Sequence, residues 1–418
     1  MTRSSKLSRL VSVVCTTLLL VLTGISQTPS SKEAPTGFDN QTNGMVPQSV
    51  HHEDGATFFS EVDTNASGLG PLFNGTSCNG CHSGPVMGGG SNTLELRAGH
   101  VDSKGNFVNP TVSINGGSDT ISGRSLINTF AICPQAQETV SSTETIRAPR
   151  ISVNTLGDGF VEAIADSTLL RIAQRQRWTT GGQIHGQPIQ VDVLEAPGVK
   201  RVGRFGWKDQ QASLLSFAAD AYLNEQGITS HLLKADVTSV CDNVADPEDN
   251  TKDSRGFFDI EHFARFIRAT KAPPRDPVIA SQPDAIKGAV LFERIGCSQC
   301  HVSSITTAPP GTKINGNTFT IPEALGNKII HPYSDFLLHN VGTGDGIVQN
   351  GGQSSANKVR TPPLWGLRKR TQLMHDGGSL SYRDAVLRHS GEASRVLFSF
   401  RRLSSTEQSQ LLKFLASL

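Results

Sequence analysis

The chain has 418 residues, 38 Lys and Arg against 37 Asp and Glu, and a formal charge of +1. So even a balance argues against a nucleic-acid or anionic-membrane partner held by charge. The length is too great for one small domain and suits two.

Arg3, Lys6 and Arg9 form a basic start, and Leu10 to Gly24 is apolar and uncharged. Gly24-Ile25-Ser26 puts small residues at the −3 and −1 positions, so residues 1–26 read as a signal peptide. The apolar run is shorter than the ~20 residues that a spanning helix needs, which favours cleavage over an anchor. Cys15 leaves with it, and 35 basic residues then face 37 acidic ones. No later stretch is long and apolar enough to span a bilayer.

Residues 27–50, rich in Ser, Thr, Pro, Gly and Asn, read as a flexible leader. A short helix is expected near Glu53 to Val62, then a Gly-rich segment, Gly68 to Asn74. Residues 93–125 alternate as in Thr93-Leu94-Glu95-Leu96, which predicts small hairpins. Helices are expected over Ser213–Leu223 and around Ile260, Phe263 and Ile267. Pro273, Pro274, Pro277 and Pro283 mark 270–283 as a linker between a domain at 51–269 and one at 284–418. The second opens with a helix over Asp284–Arg294 and closes with one from Ser404, where Glu407 completes a capping box. A faint repeat relates Trp207 to His375 and Ser213 to Ser381 at one offset, with Arg147-Ala148-Pro149 resembling Arg360-Thr361-Pro362.

The chemistry lies in two C-x-x-C-H motifs, Cys78-Asn79-Gly80-Cys81-His82 and Cys297-Ser298-Gln299-Cys300-His301. Two thiols one helical turn apart can bond the two vinyl groups of one haem, and the adjacent histidine can then ligate its iron. A zinc knuckle or a redox C-x-x-C would not need that histidine, and no second C-x-x-C stands near either motif. Two covalent c-type haems follow, on Cys78, Cys81, Cys297 and Cys300, with His82 and His301 as iron ligands. Attachment of such haems takes place beyond the cytoplasmic membrane, in agreement with a signal peptide and a periplasmic location. Cys133 and Cys241 remain and are expected to pair as a disulfide in that oxidising compartment. A cysteine ligand to iron is the less favoured alternative. Helix, motif, loop and closing helix form the cytochrome c pattern. The expected fold is mainly α, two cytochrome c-like domains with one covalent haem each, short β-hairpin insertions and long loops.

Several segments carry a family resemblance. They are Gly203-Arg204-Phe205-Gly206-Trp207-Lys208, Tyr333 to His339, Arg360-Thr361-Pro362-Pro363-Leu364-Trp365-Gly366-Leu367, His375-Asp376-Gly377 and His389-Ser390-Gly391-Glu392-Ala393. Over roughly 50–418 the chain resembles the di-haem oxidoreductases related to bacterial di-haem cytochrome c peroxidases. The resemblance implies a six-coordinate C-terminal haem that takes in electrons, an N-terminal haem that meets peroxide, and a tryptophan between them. It places His389 as the second ligand of the C-terminal haem, Trp207 as the bridge, and Glu225 near the acid/base position. Phe217 stands where those enzymes carry a glutamine.

Met374 rivals His389, and a His/Met pair would raise the haem potential relative to His/His. For the first haem His100, Met87, His51 and His52 are candidate sixth ligands, and no spacing singles one out. An iron left five-coordinate or weakly ligated is what a reactive site needs. His339 and His375 read as structural. Related peroxidases hold calcium between domains, but no compact carboxylate cluster calls for one here. The implied partners are a small cytochrome or blue-copper protein and peroxide or a protein substrate. The alternative is a non-catalytic periplasmic electron-transfer cytochrome with both irons closed.

Overall fold

Helices form where the sequence supplies a cap and one apolar face. The computed structural model describes Met1 and residues 30–418, so the expected signal peptide, with Cys15, lies outside the described residues. The Ser213 hydroxyl accepts the N–H groups of Leu215 and Ser216 and starts the helix Leu214–Ala221. That helix packs on Asp259–Ala269, burying Leu214 and Ala219 against Phe263 and Ala264. Pro283, its fixed φ suited to a first helical turn, opens Pro283–Ile295, and Gly296 at φ 97° ends it. The closing helix Ser405–Leu415 carries the capping box, Ser404 N–H donating to Glu407 Oε2 at 3.0 Å.

These two terminal helices pack through Phe292 and Phe414, whose ring centroids lie 5.1 Å apart. Each buried aromatic stabilises by about 1.5–3 kcal/mol. The approach is close. A Cβ on Gly288 would stand 2.0 Å from the Gln410 carbonyl oxygen, so only glycine fits there.

The mainly α expectation fails. Helix accounts for 32% and strand for 16%, with seven small sheets among the described residues. The largest runs Leu94–Val101 against Ile146–Ile151, Leu126–Ile127 and Phe107–Val108, all antiparallel. Most other strands span two or three residues, too few for a two-residue period to show. Cytochrome c-like domains are not evident as such. The largest apolar core joins Phe160, Leu214 and Phe263 to Ile305, Leu325, Phe336 and Trp365, across the 270–283 segment.

The leader is not loose along its described length. Lys32–Glu33 pairs in parallel with Lys328 and Ile329, and Thr36 and Thr42 bridge to Ala272 and Thr270. Asn43 Nδ2 donates to the Arg268 carbonyl at 2.8 Å. Polar composition reads as disorder only while the backbone groups lack partners, and here the body supplies them. The expected helix near Glu53 begins earlier, as Gln48–Glu53, and runs into a wider turn, Asp54–Phe59. Asp166–Thr179 is a helix whose pattern gave little signal, because Leu169, Ile172 and Gln176 are its buried residues and Trp178 stands exposed.

Candidate haem sites

Each C-x-x-C-H motif forms a short turn at the wall of its own cavity. The four thiols therefore do not converge on one ion, and all four are free of disulfide bonds. Burial pushes the Cys297 thiol up to about 12 and raises that of Cys78 further. Cys133 and Cys241 are joined as a disulfide, Cα atoms 6.5 Å apart.

In the second motif's cavity His301 Nδ1 lies 2.9 Å from the Tyr333 carbonyl oxygen. A carbonyl only accepts, so Nδ1 carries the proton and Nε2 keeps its lone pair for a metal. His389 has the same arrangement, Nδ1 donating to the Ala385 carbonyl at 2.8 Å from the end of the helix Tyr382–Leu387. Burial, and then the neighbouring His389, hold His301 down to about 4, so it is neutral. Met374 lines the same cavity from a turn at φ 69°. Phe292, Leu364, Phe400 and Leu411 give apolar walls, with Arg360 and Arg370 as cations. Burial and the nearby Arg360 lower Arg370 to about 10. The atom-free space, mouth included, is about 1370 Å³.

His339 is buried on this wall between two carboxylates, Nε2 on Asp335 Oδ2 and Nδ1 on Glu392 Oε2, each at 2.8 Å. Against the cost of burial these acids keep it protonated. That is a buried ion-pair network on the cavity wall.

In the first motif's cavity His82 Nδ1 donates to the Gly89 carbonyl at 3.1 Å, again leaving Nε2 free. The atom-free space is about 1280 Å³, walled by Phe59, Phe217, Tyr222, Phe263 and Ile267. Among the described residues His82 is the one histidine on that wall, and no methionine joins it. The four sixth-ligand candidates lie elsewhere. His100 Nδ1 pairs with Glu144 at 2.8 Å, His51 stacks on Phe266 at 4.9 Å, and His52 is exposed. Met87 Sδ accepts from Ser60 Oγ at 3.6 Å.

Glu225 does line this cavity, in the turn Tyr222–Gln226 that follows the capped helix. Its Oε2 accepts from Asn74 Nδ2 at 2.8 Å, and Glu95 lines the same cavity. Burial and then Glu95 push it up to about 8. Glu95 goes the other way. Burial opposes its charge, but Arg97, at 2.9 Å, keeps it ionised below the usual range. Sequence reading missed Glu95 and Arg97. They are two apart on the strand Leu94–Val101, hence on one face, and that alternation was the only signal.

Trp207 is the one residue common to both cavity walls. It is buried, and its Nε1 donates to the Ile151 carbonyl at 2.8 Å. Arg360 fixes its backbone by donating from N to Trp207 O at 2.8 Å and from Nε to Gly206 O at 2.7 Å. His375, its counterpart in the faint repeat, meets it edge-on at 6.1 Å. Ser213 and Ser381 both cap helices, so the repeat has a structural basis. A second pair of twins escaped the sequence reading. The hairpins Val112–Ile114/Asp119–Ile121 and Lys313–Ile314/Phe319–Thr320 turn on Asn115-Gly116 and Asn315-Gly316, all at positive φ.

The absence of a carboxylate cluster needs correction. Asp236, Asp242 and Glu248 bring oxygens within 4.8 Å of one another. Tertiary folding of a loop assembles them, so no compact spacing announced it.

Apolar walls, paired thiols, histidines with free Nε2 atoms and arginines able to face acidic groups fit one haem in each cavity. The family described as "Di-haem oxidoreductase, putative peroxidase" matches residues 137–418. No curated protein matches the chain. Among solved structures, Kuenenia stuttgartiensis hydrazine synthase pressurized with xenon is 13% identical, with a TM-score of 0.38, over 99% of this chain and 100% of that one. A MauG-like protein associated with microbial copper homeostasis is 15% identical, with a TM-score of 0.31, over 56% of this chain and 79% of that one. At those scores neither likeness bears on function. With two thirds of its length matched, the chain belongs to the di-haem oxidoreductase family.

Proposed function

We propose that the chain is an exported, periplasmic di-haem c-type oxidoreductase that reduces peroxide at the N-terminal haem with electrons received at the C-terminal haem. The observation that carries the reading is the contrast between the cavities. One wall offers a second histidine with a free Nε2, and the other offers two carboxyl groups and, among the described residues, no second histidine or methionine. Export rests on the N-terminal sequence and on the compartment in which c-type haems are attached. Among the described residues no helix is long and apolar enough to cross a membrane.

Cys78, Cys81, Cys297 and Cys300 hold the haems by adding their S–H bonds across the vinyl groups. His82 and His301 would ligate the irons, and His389, rather than Met374, would be the second ligand of the C-terminal haem. When bound, the haems supply one-electron transfer and an open iron position for peroxide. The residues supply the rest. Phe59, Phe217 and Phe263 limit water, Trp207 bridges the two walls, and Glu225 moves a proton between the peroxide oxygens. The balance is one peroxide, two protons and two electrons to two waters, the electrons coming from a reduced small cytochrome or blue-copper protein.

The test is stoichiometry. Catalysed oxidation of a reduced small cytochrome by hydrogen peroxide should consume two donors per peroxide. No peroxide consumption with either class of donor would reject the reading in favour of a plain electron carrier.

A further inference from the structure

Glu225 is not alone. Glu95 lines the first motif's cavity with it, and each acid bears on the other's charge there. Two carboxyl groups in contact cannot both ionise cheaply, so such a pair holds one proton between them. What decides the owner is the surrounding charge. Arg97 grips Glu95 through both guanidinium edges, Nε to Oε1 at 2.9 Å and a terminal nitrogen to Oε2 at 3.2 Å. Arg150 stands 3.9 Å from Glu95 Oε1 on the other side. Among the described residues no cation forms a salt bridge with Glu225, whose Oε2 accepts from the Asn74 amide. Its proton therefore belongs on Oε1. The remaining titratable groups that bear on the pair are Asp220, from the capped helix, Arg124, and Cys81 of the motif.

We propose that Glu95 is a positioning residue: held as the carboxylate by Arg97, it accepts the hydrogen bond of the Glu225 carboxyl and fixes Glu225 as the proton donor of the first haem cavity. The proposal rests on the peroxide reading above. It also accounts for a pocket that works with Phe217 where the resemblance implies a glutamine. In the step, the O–O bond breaks and its electron pair leaves with the departing oxygen, which takes the Glu225 proton and becomes water. The proton of the other peroxide oxygen passes to the pair. The pair thus begins and ends with one proton. The remaining oxygen leaves as the second water once two electrons from the reduced redox protein and two solvent protons have arrived.

Fluoride is the probe. As a small anion at the open iron position it accepts a hydrogen bond from a protonated carboxyl and is repelled by a carboxylate. Optical titration of the oxidised holoprotein with fluoride across pH therefore reads the pair without turnover. Binding should weaken tenfold per pH unit above a transition set by Glu225. Glu95→Gln removes the like charge and should move the transition down by a unit or more, at least tenfold weaker binding at alkaline pH. Arg97→Gln should move it up, and Glu225→Gln should abolish it. Opposite shifts are not what a merely structural role gives. A transition unmoved by Glu95→Gln, or moved the same way by both variants, overturns the proposal while leaving the open site intact. No fluoride binding to the wild type at any pH overturns the peroxide reading and this proposal with it. Should a variant not fold, infrared difference spectra of the wild type decide. One cavity carboxyl losing its proton in the alkaline range supports the pair, and none or two contradict it.

Discussion

The two cavities use the same turn of chain for opposite ends. Both motifs present a histidine whose Nδ1 is committed to a backbone carbonyl, at Gly89 in one and Tyr333 in the other. They differ in what else reaches the wall. The C-terminal cavity receives His389 from a helix end and two arginines, and the N-terminal cavity receives Glu225, Glu95 and Arg97. On the proposed reading both motifs attach haem alike, and the remaining lining sets what each cavity does. A closed iron suits electron entry, and an open iron beside a proton-holding acid suits bond cleavage.

The comparison can be broken most severely at the attachment itself. Replacing Cys78 and Cys81 by alanine should remove one covalent haem and leave the other, read as the mass of the denatured chain. Loss of both or neither would show that the cavities are not independent. Next in size is Glu225→Gln, which should slow the peroxide step by about 10²–10⁴-fold while the C-terminal haem keeps its spectrum. In the wild type the same step should fade as pH rises through about 8, because Glu225, its protonated form favoured by burial and Glu95, loses its proton there. Trp207→Phe keeps an apolar ring but loses the hydrogen bond to Ile151 and part of the volume. It should cost about 1–3 kcal/mol by denaturant titration and slow electron passage between haems in stopped flow. The smallest effect is remote from both sites. Gly288→Ala forces a methyl against Gln410 and should cost about 1–3 kcal/mol without changing the N-terminal haem.

How much of this was legible in the sequence follows from what fixes each residue. The proposed covalent haem attachment would dictate spacing, so Cys78 to His82 and Cys297 to His301 stand out in the sequence. The helix cap at Ser404 is local and was equally plain. Trp207 came from family motif alone, since burial of a tryptophan predicts nothing about its neighbours. Glu95 lies far from Glu225 in sequence, and only the fold brings a strand residue beside a helix-end acid. The sixth-ligand candidates failed for the same reason in reverse, His100 being drawn to Glu144 and His51 to Phe266. The mainly α expectation came from the family resemblance and from the helices that flank the second motif. Strands of two residues, such as Leu72–Phe73 paired with Phe130–Ala131, have no period to detect.

The central claim is that one iron is closed and the other open. Electron paramagnetic resonance of the fully oxidised and half-reduced protein, with and without hydrogen peroxide, tests it most directly. The account predicts a low-spin haem altered by His389→Ala and a second haem that shows a high-spin signal and reacts with peroxide. Two low-spin haems in every state, indifferent to peroxide, would contradict it.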